Sequence, residues 1–189
     1  MLKFYLSYLY LLLAFLSFGV LQGNQGTRWL NADFKDLQDA ANQNDPFAMG
    51  FLALVHIHGD KGQDISMQDA LTYAEASAAK NHWLGHFALG YLARFAPYGP
   101  NPAMVKIRYL KAFQDPDGEM IREAAYKDPI AAYALAEIFT SDEVRPVVVP
   151  NLQMAASYYQ VSSDLGYAPA SVELALFKLG AISAPDLGI

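Results

Sequence analysis

Apolar segments with helical spacing alternate with polar loops along most of this chain. Asp45-Pro46 and Asp128-Pro129 each supply a capping carboxylate followed by a proline that fits the first helical turn. The spacing of the apolar residues predicts helices over 32–43, 47–57, 67–80, 83–95, 103–113, 118–126, 130–139, 152–165 and 170–179. We therefore predict an all-α fold.

The first helix of each predicted pair carries a recurring signature, which is a small residue, three further positions, Leu, and another small residue. It occurs at Ala48-Leu52-Ala53, Gly85-Leu89-Gly90, Ala131-Leu135-Ala136 and Ala170-Leu174-Ala175. The leucines are 37, 46 and 39 residues apart. Two second helices also share a register, in which these residues correspond: Ala70, Tyr73 and Ser77 with Ala155, Tyr158 and Ser162. A period of about 40 residues indicates a stacked array of helix pairs.

These repeats resemble the Sel-like repeat, a relative of the tetratricopeptide repeat. Its pattern is Ala-x3-Leu-Gly-x2-Tyr in the first helix and Ala-x2-Trp/Tyr-Tyr-x2-Ala-Ala-x2-Gly in the second. The residues that match best are Ala155, Tyr158, Tyr159, Gly166, Ala170 and Leu174. The chain departs from this pattern in three of its four repeats, where Ala replaces the Gly that follows Leu. The resemblance implies an α/α solenoid, a superhelix of helix pairs, that serves as an adaptor or scaffold, commonly in bacterial cell envelopes or secretion complexes.

The predicted organisation has four parts: an N-terminal segment 1–23, a linker 24–31, a Sel-like repeat domain 32–180 and a tail 181–189. Within the domain, repeats cover about 45–82, 83–127 and 128–166, with half-repeats at 32–44 and 167–180. The middle repeat contains Asp115-Pro116-Asp117-Gly118, a turn sequence that divides its second helix in two. This insertion accounts for the longer leucine spacing.

The N-terminal segment has the pattern of a secretory signal. Residues 4–21 carry no charge and are almost entirely apolar, and Lys3 precedes them. The small residues Ser17 and Gly19 supply one cleavage site, and Gly23 a second. As a helix the run is about 27 Å long, near the lower limit for a membrane span, so an uncleaved anchor is the alternative. Both interpretations predict an exported protein, periplasmic or in the cell envelope if the source is bacterial.

A partner-binding groove is expected if the first helices line a concave face, as tetratricopeptide-like stacking implies. That register assigns the groove to Leu54, Phe87, Tyr91, Arg94, Tyr133, Glu137, Thr140 and Leu176. Aromatic side chains together with an Arg are typical of binding surfaces. We therefore predict a protein or peptide partner here, with packing of Phe87 and Tyr133 between helices as the alternative.

Composition narrows the choice of function. The formal charge is −6, which disfavours a nucleic-acid partner, and the absence of cysteine excludes disulfides and thiolate chemistry. No nucleophile elbow, phosphate-binding loop or dinucleotide fingerprint occurs. We therefore predict a non-catalytic protein without a catalytic residue, cofactor or metal.

Three other expectations stay open at this point. The histidines are all within residues 56–86, and His82 and His86 are four apart, which is the spacing of a two-ligand metal site. A cell-envelope hydrolase or a ligand- or metal-binding protein with a site there is therefore the first alternative. A membrane-anchored assembly subunit is the second. The last helix is unpaired and carries Leu174, Leu176, Phe177 and Leu179, so we also predict that it forms a homodimer or docks on a partner, since arrays usually need a polar cap.

Overall fold

A computed structural model describes residues 25–95, 100–114, 121–122 and 125–180. Within them, the helices are α1 (Gln25–Asn31), α2 (Phe34–Asn42), α3 (Pro46–His58), α4 (Met67–Ala79), α5 (Trp83–Phe95), α6 (Pro102–Gln114), α7 (Pro129–Phe139), α8 (Leu152–Asp164) and α9 (Ala168–Lys178). A 3-10 turn covers Asp142–Val144. The predicted signal or anchor at 1–23, the predicted tail at 181–189 and most of the predicted helix at 118–126 lie outside the described residues. Of the helices described, none is both long and apolar enough to cross a membrane.

The described helices pack in consecutive pairs. Helix α3 packs against α4, α5 against α6 and α7 against α8, while α4 also packs on α5 and α8 on α9. The all-α prediction is confirmed. The core lies between the helices, and the first helices of the pairs contribute most of it, because nearly every residue of α3 and α7 is buried.

Small residues stand where helices approach each other most closely. A Cβ at Gly85 would overlap the backbone nitrogen of Ala78, and a Cβ at Gly90 would overlap the ring of Tyr109. Leu52 and Leu135, the leucines of the signature in α3 and α7, are fully buried. The repeated signature therefore records helix contacts that admit no larger side chain.

In two repeats, a buried serine forms the same hydrogen bond between the two helices of the pair. Ser77 Oγ donates to the carbonyl of Pro46 at 2.7 Å, and Ser162 Oγ donates to the carbonyl of Pro129 at 2.6 Å. Each serine comes from the second helix of a pair and each proline begins the first. Asp45 and Asp128 cap the same first helices at Ala48 N and at Ile130 N and Ala131 N.

Replacing Ser77 or Ser162 by alanine is expected to lower the free energy of unfolding by about 1 kcal/mol each, because a buried hydrogen bond is lost. Urea unfolding followed by circular dichroism measures this. The matched control is Ser157→Ala, since the Ser157 hydroxyl is exposed and bonds only the Gln153 carbonyl of its own helix. Its expected effect is within about 0.5 kcal/mol. Equal effects at all three positions would contradict the shared role.

The linker expected at 24–31 is wrong for residues 25–31, which form helix α1. Trp29 is only 3% exposed, and the Gly26 amide donates to Asp128 Oδ2 at 2.6 Å. Helix α1 packs mainly on α7 and α3 instead of on its neighbour α2. Its local sequence gives no clear hydrophobic period, and the contacts that hold it come from residues far along the chain.

Candidate functional site

The structure places most of the predicted groove residues in the interior. Five are buried: Leu54, Phe87, Tyr133, Glu137 and Thr140. Tyr91 and Arg94 are half-buried, and Leu176 on α9 is 38% exposed. An open groove lined by all eight is therefore wrong in geometry, because the first helices converge until this stripe becomes core. Partner binding itself stays a prediction.

Tyr133 lies at the centre of an aromatic cluster that joins three of the predicted residues. Its ring centroid is 6.0 Å from that of Phe87 and 6.4 Å from that of Tyr91. Sequence reasoning missed three further members, and their rings lie within 5.1 to 6.1 Å of Tyr133: His58, Tyr159 and Tyr167. We call these six residues the tyrosine cluster. It ties α3, α5, α7 and α8 to the residue that precedes α9.

A second group joins the other predicted residues into a polar network. Arg94 Nη1 lies 3.3 Å from Glu137 Oε2 and donates to Thr140 Oγ1 at 2.9 Å. Arg94 Nη2 donates to the Thr140 carbonyl at 3.2 Å. On the other side, the Tyr159 hydroxyl donates to Glu137 Oε1 at 2.7 Å. Leu54 in α3 and Leu176 in α9 lie outside both groups.

Burial controls the electrostatics of this network. It raises the pKa of Glu137 to about 7, although Arg94 and the Tyr159 hydrogen bond act in the opposite direction. Burial likewise raises the pKa of Tyr133 and Tyr159 well above the usual range, so both hydroxyls are neutral donors at neutral pH. A carboxyl group with a pKa near 7 suits acid–base chemistry. However, the Glu137 side chain is only 4% exposed and holds Arg94 and Tyr159, which fits a structural role.

A cavity of about 360 Å³ opens beside the tyrosine cluster, between the end of α3 and the start of α9. It is lined by His58, Gly59, Asp60, Ala168, Pro169, Val172 and Glu173. Burial lowers the pKa of His58 to about 4, so its imidazole is neutral at physiological pH. Burial also raises the pKa of Glu173. The cavity thus offers apolar and hydrogen-bonding groups, and no local pattern of residues indicates it in advance.

The four histidines do not form one group, although His82 and His86 lie close enough to interact electrostatically. His58 belongs to the tyrosine cluster, and His56 stacks on Tyr73 with ring centroids 5.7 Å apart. His82 contacts Phe47 edge-on, and burial lowers its pKa to about 4. A ring nitrogen of His86 lies 3.2 Å from Arg108 Nη1. No group of three potential metal-ligating side chains is found among the described residues.

The comparisons with known proteins give a likeness to solved structures. No family model matches the chain, and no curated protein matches it. The chain matches a Sel1 repeat protein in structure. That protein, described as the crystal structure of a Sel1 repeat protein from Oxalobacter formigenes, shares 22% identity with a TM-score of 0.39. The match covers 81% of this chain and 57% of that chain. This likeness assigns a functional role to no residue here.

Proposed function

We propose that this chain is a non-catalytic adaptor, built as a Sel-like α/α solenoid, that binds a protein partner along one accessible edge. This proposal rests on the consecutive helix pairs, on the motif resemblance and on the surface beside the cavity. Helical arrays of this kind present extended surfaces to partners. The superhelical stacking of these helix pairs is part of the same proposal.

The surface that carries the proposal combines the accessible residues of the predicted groove with two residues of the cavity. Tyr91, Arg94 and Leu176 come from the predicted groove, Val172 and Glu173 line the cavity, and we call these five residues the rim. Val172 is 58% exposed and Leu176 38% exposed, and Val172 and Glu173 also line the cavity. Apolar side chains beside an Arg and a rigid aromatic group favour protein contacts. The exposed apolar residues next to a cavity are the single observation that supports the rim most directly.

Cross-linked affinity capture from the native host, read by quantitative mass spectrometry, tests this function. The rim variant is Val172→Asp/Leu176→Asp, since both positions are exposed and the substitutions should leave the core intact. The matched control is Leu71→Asp/Ile107→Asp, which changes two exposed apolar residues on α4 and α6. All baits must first show the same melting temperature.

We expect one or more proteins to be enriched by the wild type and by the control, and to be reduced at least about tenfold with the rim variant, as loss of a hot spot predicts. A partner retained by the rim variant contradicts the rim as the binding surface. The absence of any specific partner contradicts the adaptor function.

Export from the cytoplasm is a further part of the proposal, and it rests on the sequence alone. The uncharged run at 4–21 behind Lys3 supports a signal, cleaved or retained as an anchor. The intact mass of the protein recovered from its host distinguishes the two, since cleavage removes about 20 residues. Recovery from the cytoplasmic fraction at full mass contradicts export.

A homodimer through α9 is a second candidate, because Leu176 and Leu179 are exposed and α9 packs only on α8 to a substantial extent among the described helices. Sedimentation equilibrium of the wild type and of Leu176→Asp/Leu179→Asp tests it. A wild-type monomer at high concentration contradicts this candidate.

A further inference from the structure

Helix α1 departs from the packing rule that the other described helices follow. Each of the others packs on a neighbour in sequence, whereas α1 packs mainly on α7 and α3. It has seven residues, too few to be stable in isolation, so its helical form depends on the surface that it covers. The groove between α3 and α7 therefore already holds a short helix.

The contacts of α1 define what this groove recognises. The Gly26 amide donates to Asp128 Oδ2 at 2.6 Å, and a Cβ at this position would overlap the Asp128 carboxylate. Trp29, one turn later, is buried. At the other end, Lys61 Nζ donates to the carbonyls of Leu30 and Ala32 at 2.9 and 2.6 Å. The groove thus fits a small residue, a large aromatic residue three positions later, and a helix C-terminus beside an ammonium group.

The fit of α1 is incomplete. The indole nitrogen Nε1 of Trp29 is buried and has no hydrogen-bond partner among the described residues. A buried donor without an acceptor weakens the docked state. The hydrogen bonds to Asp128 and from Lys61 hold α1 in place, and its connection to α2 adds a high effective concentration.

We propose that the groove between α3 and α7 is a binding site for a short helix of a protein partner, and that α1 covers this site in the free protein. The partner segment carries a small residue and, three positions later, a large aromatic residue. It displaces α1, which swings away on the connection at residues 32–33. This site is separate from the rim, so one partner can be held at each.

The test uses the full chain and a peptide with the sequence of residues 24–33, blocked at both ends and carrying a fluorophore. The protein variant Gly26→Ala/Trp29→Ala releases α1 and leaves Asp128 free to accept the peptide. The matched control variant is Asn31→Ala, which changes an exposed residue of α1 whose side chain donates to the Thr27 carbonyl of the same helix. The control peptide carries Trp29→Ala.

We expect the dissociation constant of the peptide to be at least about tenfold lower for Gly26→Ala/Trp29→Ala than for the wild type or Asn31→Ala, because self-occupancy reduces the apparent affinity. The control peptide should not bind. A folded double variant that binds the peptide no better than the wild type overturns the proposal, and so does a double variant that fails to fold, since α1 is then an integral part of the domain.

A second variant, Lys61→Met, leaves the sequence of α1 unchanged. It removes the hydrogen bonds from Lys61 to the carbonyls of Leu30 and Ala32. We expect partial release, shown by faster hydrogen exchange at the Gly26 and Trp29 amides than in the wild type. Unchanged exchange overturns the reversible docking of α1. The rim variant Val172→Asp/Leu176→Asp should bind the peptide as the wild type does, so this test is independent of the proposed adaptor function.

Discussion

Replacement of Arg94 by methionine is expected to lower the free energy of unfolding by about 3–5 kcal/mol at pH 8, because it leaves the buried Glu137 carboxylate without its cation. Arg94 also donates to the hydroxyl and the carbonyl of Thr140. Methionine retains much of the aliphatic stem, so the loss reflects charge and hydrogen bonding more than packing. Urea unfolding at constant ionic strength measures it.

The matched control is Arg145→Met, which removes the other ion pair found within the described residues. Arg145 Nε lies 2.9 Å from Asp142 Oδ1, but the two side chains are 46% and 43% exposed. An exposed pair contributes below about 1 kcal/mol. Similar losses for the two variants would show that burial does not strengthen the dependence of Glu137 on Arg94.

The cost of Arg94→Met should increase with pH. Burial raises the pKa of Glu137 from 4.5 to about 7, so the folded protein retains a proton that the unfolded chain releases between these values. Stability from this group is therefore fully present below pH 4.5 and is lost as pH rises toward 7. Arg94 lowers the pKa of Glu137, so removing it extends the loss to higher pH. The difference between wild type and variant should grow from pH 5 to pH 8, and adding Glu137→Gln should abolish that growth.

Replacement of Asp128 by alanine should also be strongly destabilising, by about 3 kcal/mol, since it removes a helix cap and leaves a buried amide unpaired. Asp128 Oδ1 accepts from Ile130 N and Ala131 N at 2.9 and 3.0 Å, and Oδ2 accepts from Gly26 N at 2.6 Å. The same carboxylate thus caps α7 and holds α1. Thermal and urea unfolding measure the loss.

Asp45→Ala is the matched control, because Asp45 caps α3 in the corresponding position but accepts only from Ala48 N, at 3.0 Å. Its expected cost is about 1 kcal/mol. Loss of α1 docking in Asp128→Ala should appear as a rise in solvent exposure of Trp29, which Asp45→Ala should not cause. Equal costs for the two variants would contradict the added role of Asp128.

Apart from α1, local sequence determined the described helices and their consecutive pairing. The helix over 83–95 agrees with α5, and the other predicted helices that can be compared throughout agree with the structure to within about two residues, the usual uncertainty of helix ends. The Asp-Pro caps and the spacing of apolar residues are local signals, because each involves residues only a few positions apart. Helix positions can therefore be predicted from them directly. The small residues at Gly85 and Gly90 likewise stand at the helix contacts that the repeated signature indicated.

Only the tertiary structure decided which helix faces are exposed to solvent. Periodicity identifies the apolar side of a helix, but the curvature of the array determines whether that side stays open. Here the ring of Tyr167, the residue before α9, contacts the rings of Phe51, His58 and Tyr133. The predicted groove therefore becomes part of the core. The docking of α1 was equally hidden, because its bond from Gly26 to Asp128 spans 102 residues. Such long-range contacts depend on how all the pairs stack together, which no local pattern in the sequence encodes.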